Sequence, residues 1–148
     1  MTESTLSIAL SQESLGLAIF QGQCLTFLEA HSLHSVPKPA EASAGFVLRC
    51  IDSFNPAVAV MQRSSDELPD IRAAVLEALR ASNRPLSEIS EHEVLASFGE
   101  PPVEGKEELR SLMRVLFPQI PSTRLVFSCL DAVATGLHFE TQRLLKAD

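Results

Sequence analysis

The chain of 148 residues contains no Trp and no Tyr, and its 8 Phe are the whole aromatic complement. Only 3 Cys are present, Cys24, Cys50 and Cys129. Their number is odd and no CxxC or Cys/His spacing suits zinc, which argues against a disulfide framework and a structural zinc site. Each lies among apolar neighbours, so reduced and buried thiols are expected. Positive charge is scarce: 12 Lys and Arg stand against 19 Asp and Glu, for a formal net charge of −7. That balance opposes strong non-specific binding to nucleic acid, which rests on neutralising phosphates. It leaves room for a local basic face. No window approaches the roughly 18 apolar residues of a membrane span. Met1-Thr2-Glu3-Ser4-Thr5 has no cationic leader. A cytoplasmic protein with no membrane partner is the expectation.

What is present is a recognisable order of elements. Leu6 to Leu10 and Ser14 to Phe20 are apolar runs split by Ser11-Gln12-Glu13-Ser14, a hairpin pattern. Gln21-Gly22-Gln23 turns the chain again, and Cys24 to Leu33 continues as a third strand. Pro37 and Pro39 stop it. Ala44, Val47, Leu48 and Ile51 share one face of a helix that ends at Asn55-Pro56. Pro56 to Gln62 is an apolar strand without polar alternation, a pattern of strands covered on both faces. Ile71, Ala74, Val75, Ala78 and Leu79 mark a helix with Pro69 near its start.

Pro85 to Ile89 reads as a further strand. Ser90, with Glu93 three residues on, caps a short helix reaching Phe98 and closed by Gly99. Residues 100–105 form a loop. Leu109, Leu112, Met113 and Leu116 stripe another helix, closed by Pro118. Asp131-Ala132-Val133-Ala134 opens the last helix, striped by Leu130, Val133, Ala134, Leu137 and Leu144, with Lys146 near its C-terminal end. The expectation is one α/β domain over residues 1–148: a five-stranded mixed sheet, its first three strands antiparallel, with helices on both faces.

This order resembles the ribonuclease H-like superfamily, and more closely the RuvC-type Holliday junction resolvases and their YqgF-like relatives. In the RuvC family the first strand ends in an Asp, seven residues before a Gly that opens the second strand. Counting back from Gly16 lands on Ala9. The family's second acid closes a strand that starts at a Pro, and counting from Pro56 lands on Gln62, with Arg63 behind it. The family's last helix carries an Asp-Ala-Ala-Asp-Ala pattern. Here it is Asp131-Ala132-Val133-Ala134-Thr135, with one of the two acids kept. Lys106 fits a Lys that opens the family's penultimate helix.

The resemblance implies a degenerate site. Two-metal phosphodiester hydrolysis needs several carboxylates converging on ions about 3.5–4 Å apart, and Mg²⁺ wants hard oxygen ligands. Ala9 supplies none and Gln62 only a neutral carbonyl. Asp131 is the candidate catalytic residue and metal ligand, in balance with a plain role near a helix N-terminus. A surviving Mg²⁺ or Mn²⁺ site would have to add Gln62 and Glu13, with Asp66 or Glu67; without activity no cofactor is expected. Lys106, Arg110 and Arg114 align at i, i+4 and i+8 and, with Arg63, are candidate nucleic-acid contacts; a solvated helix face explains the three as well.

The leading expectation is a RuvC-like domain without nuclease activity. It would act as a nucleic-acid-binding or assembly module, weakly binding branched DNA or another structured nucleic acid, with a homodimer compatible. The alternatives are a divergent metal-dependent endonuclease of the Holliday junction resolvase type and a protein-interaction module with no nucleic-acid role.

Overall fold

A computed structural model describes residues 3–11, 14–63, 68–98, 105–120 and 127–147. The elements run β1 (Ser4–Leu10), β2 (Ser14–Gln21), β3 (Cys24–Ser32), α1 (Pro39–Phe54), β4 (Val58–Arg63), α2 (Pro69–Ala81), β5 (Leu86–Ser90), α3 (Glu91–Ser97), α4 (Lys106–Leu116) and α5 (Phe127–Ala147). The strands form one sheet in the order β3-β2-β1-β4-β5. β1, β2 and β3 pair antiparallel, whereas β4 lies parallel to β1 and β5 parallel to β4. The α/β mixed sheet expected from the sequence is therefore the one found.

The period of two along each strand divides the core. Leu6, Ile8 and Leu10 of β1, Leu15, Leu17 and Ile19 of β2, and Ala59 and Met61 of β4 face α1 and α2. Ala9, Ala18, Phe20 and Val60 face the opposite layer, built from α3, α4 and α5. The two layers differ in kind. Toward α1 and α2 the sheet offers large aliphatic side chains. Toward α5 it offers mainly small residues, Thr5, Ser7, Ala9, Gly16 and Ala18, with Phe20 set against Gly136. A Cβ on Gly16 would lie 2.2 Å from the Ser128 backbone, so α5 rests almost directly on β2. Residues 128–136 of α5 are accordingly all buried, a helix stretch enclosed on every side.

Several local expectations are met. Asn55 caps α1 in the left-handed conformation, and Ser90 Oγ accepts the Glu93 amide proton at 3.1 Å to start α3. Others need correction. The buried stripe of α1 is Ser43, Val47, Cys50 and Ile51, which leaves Leu48 40% exposed at its margin. Leu116 and Leu144 are also exposed, because each stands in the last turn of its helix. Cys24 is exposed rather than buried, since it pairs with Gln21 at the tip of the β2–β3 hairpin. α5 starts at Phe127, so Asp131 lies a full turn inside it and does not open it. The closing residue assigned to α3, Gly99, and the loop from 100 to 104 lie outside the described residues. Among the described residues no helix is long and apolar enough to cross a membrane.

Candidate functional site

β1 and β4 are parallel neighbours, with Ile8 opposite Met61. The next residues, Ala9 and Gln62, reach the C-terminal edge of the two strands side by side.

 Both positions, Ala9 and Gln62, face α5. Ala9 is 1% exposed and packs in the apolar cluster with Leu130, Val133 and Ala134. Gln62, 2% exposed, donates from Nε2 to Thr135 Oγ1 at 3.1 Å, and Thr135 Oγ1 donates to the Asp131 carbonyl at 2.8 Å. The fold thus brings Ala9, Gln62 and the backbone of Asp131 to the same stretch of α5.

Asp131 is 4% exposed. Both of its carboxylate oxygens accept from one guanidinium: Arg110 Nε donates to Oδ1 at 3.0 Å and Arg110 Nη2 to Oδ2 at 2.9 Å. This is the planar, two-point pairing that Arg makes with carboxylates. The Arg110 side chain is itself only 17% exposed, so it points into α5 and not into solvent. The partner comes from α4, 21 residues earlier in the chain, and no local pattern announced it.

At the same edge, Ser11 Oγ lies 3.2 Å from Ser14 Oγ and 3.4 Å from Ser128 Oγ, and the hydroxyls of Ser14 and Ser128 are also hydrogen-bonded. These serines tie the β1–β2 turn to the start of α5. At the other end of the strands, Thr5 Oγ1 donates to the buried Glu140 carboxylate, and Arg143 Nη1 reaches Glu140 at 3.3 Å and Thr5 at 3.2 Å. Two polar networks therefore fasten α5 to β1, one at each end. Cys129 adds no chemistry: burial first of all pushes its thiol up to about 12, against a hydrogen bond from the Leu17 backbone.

A pair of divalent ions would need more carboxylate oxygens than the described residues of this arrangement present. Ala9 and Ala134 have no oxygen in their side chains, Gln62 offers only a neutral carbonyl beside the Nε2 that donates to Thr135, and the Asp131 oxygens hold Arg110. Among the described residues no group of three His, Cys, Asp or Glu could hold a metal ion. Glu13, Asp66 and Glu67 lie outside the described residues. Of the basic candidates, Arg63 is exposed at the end of β4 and Arg114 is half-buried in the last turn of α4. Lys106 begins α4, and its side chain lies outside the described ones.

No protein-family model matches the sequence, and no curated protein matches it. Solved structures do. RuvC of T. thermophilus in complex with a Holliday junction substrate superposes with a TM-score of 0.71 at 19% identity, over 96% of each chain. The Fowlpox virus resolvase with its Holliday junction DNA gives 0.63 at 13% identity, over 95% of this chain and 99% of that one. The yeast mitochondrial Holliday junction resolvase gives 0.60 at 12% identity, over 95% of this chain and 82% of that one. At such identities the likeness is one of fold. With its strand order and the placement of α5 against β1 and β4, the chain has the ribonuclease H-like fold in the form seen in RuvC and other Holliday junction resolvases.

Proposed function

We propose that this chain is a RuvC-type domain without the two-metal nuclease centre, working as a nucleic-acid-binding or assembly module. The observation that carries the reading is the Arg110–Asp131 pair. Where metal-dependent hydrolysis needs a cluster of carboxylates around divalent ions, the described residues here supply one carboxylate, with a guanidinium that donates to both of its oxygens. A cation carried by the chain itself neutralises Asp131 there. The neighbouring positions Ala9 and Gln62 are used for packing and for a hydrogen bond to α5.

Structured nucleic acid is the proposed partner, because the resolvases of this fold are described with Holliday junctions. Arg63, exposed at the strand edge, and Arg114 are the proposed contacts. With a net charge of −7, binding is weak and steeply salt-dependent. A labelled four-way junction and an RNA/DNA hybrid, incubated with Mg²⁺ or Mn²⁺, test both parts. No cleavage, together with a gel shift that fades with salt and weakens in Arg63→Glu, is expected. Metal-dependent cleavage abolished by Asp131→Asn overturns the non-catalytic reading. Absence of both cleavage and shift overturns the nucleic-acid part and leaves a protein-interaction module.

A further inference from the structure

A cleft of about 570 Å³ opens on the α5 layer, between the edge strand β5, α3 and the second half of α5. Its size is in the range of small-molecule sites, roughly 300–1,000 Å³. It is separate from the Asp131 position: His138, its nearest α5 residue, is seven residues farther along, about 10 Å on the helix axis. Nothing in the proposed function uses it.

Two rows of α5 side chains form one wall. His138, Gln142 and Lys146 repeat at i, i+4 and i+8, and Phe139 lies in the next row. Ile89 of β5 and Ala96 of α3 complete an apolar surface with Phe139. Ser97 and Gln142 supply neutral hydrogen-bonding groups. Burial lowers the His138 pKa, with Glu93 opposing, so its imidazole is neutral at pH 7 and can both donate and accept.

Charge in the cleft is uneven. Among the described residues that line it, Glu93 is the one acid. Arg143 lies over the Phe139 ring at 5.6 Å and is engaged by Glu140 and Thr5. Lys146 is exposed at the end of α5. An apolar floor, walls whose neutral donors and acceptors stand beside Glu93 and the already paired Arg143, and Lys146 at one end complement a flat ring that carries an anionic group. We infer that this cleft is a binding site for a small molecule with a planar, hydrogen-bonding ring and a single anionic substituent, the ring against Phe139 and Ile89 and the anion toward Lys146.

The test is an amide NMR titration of the full chain with three probes: AMP, adenosine and inorganic phosphate. AMP is expected to shift the resonances of Ser97, Phe139 and Gln142 and to saturate with a Kd of about 1 mM or tighter. Adenosine and phosphate, each offering half of the recognised chemistry, bind at least about tenfold more weakly. Lys146→Glu, at an exposed position, costs AMP about tenfold as well. Ala96→Phe, on an exposed face of α3, fills the cleft and abolishes the shifts with the fold retained. Equal binding of phosphate and AMP overturns the assignment. So does the absence of saturation with all three probes, or a set of shifts that Ala96→Phe leaves unchanged.

Discussion

Arg110→Ala removes the cation from a carboxylate that is 4% exposed and was held at 2.9 and 3.0 Å. Two unit charges about 4 Å apart attract by about 4 kcal/mol at an effective dielectric constant near 20. Breaking a buried pair by deleting one partner costs about 3–5 kcal/mol, because the remaining charge stays desolvated. The Arg110 side chain is 17% exposed, so water enters the space it leaves and relieves part of that penalty. A loss of about 3 kcal/mol follows, a large fraction of the roughly 5–15 kcal/mol that holds a domain folded. Urea unfolding followed by circular dichroism measures it, with the slope unchanged if both states stay two-state. The companion is Arg110→Met with Asp131→Leu, which removes both charges and keeps volume. That double variant is expected within about 1 kcal/mol of the parent. A loss below about 0.5 kcal/mol in Arg110→Ala, or single losses that simply add in the double variant, would refute the claim that the pair closes this site.

Three further outcomes follow from the same geometry. Ala9→Asp with Gln62→Glu is expected to show no Mn²⁺ binding by calorimetry while Arg110 is present, and to gain a site when Arg110→Ala is added; binding without the third change contradicts the role given to the guanidinium. Gly16→Ala drives a Cβ into the Ser128 backbone, so α5 must shift, and a loss of about 1–3 kcal/mol is expected, read as a fall in Tm of about 2–4 °C per kcal/mol. Cys24 alone should react with a thiol reagent in the native protein, and all three after unfolding, because burial pushes Cys50 and Cys129 from 9.0 up to about 12. In that window the native state holds protons that the unfolded chain releases, so stability falls as pH rises from about 9 toward 12.

Much of the fold was legible because its cues are local. The apolar runs at Leu6–Leu10 and Ser14–Phe20 became β1 and β2, and even the weak run at Pro85–Ile89 became β5. Pro69 and Ser90 marked helix starts, since φ restriction and a capping hydroxyl act within a few residues. The start of α5 was misplaced because the sequence has Val, not a capping type, before Phe127, and the mark that looked like a cap, Asp131, is used for pairing across the layer.

The sequence by itself determined the alternation that gives the sheet two different faces, and it determined that positions 9, 62 and 134 carry Ala, Gln and Ala. Only the tertiary structure decided what Asp131 pairs with. Side-chain pairing between α4 and α5 depends on how two helices pack, not on spacing along the chain, so Arg110 read as part of a basic helix face until the fold set it against Asp131. The same holds for the cleft beside β5: residues from three elements line it, and no single segment carries its shape.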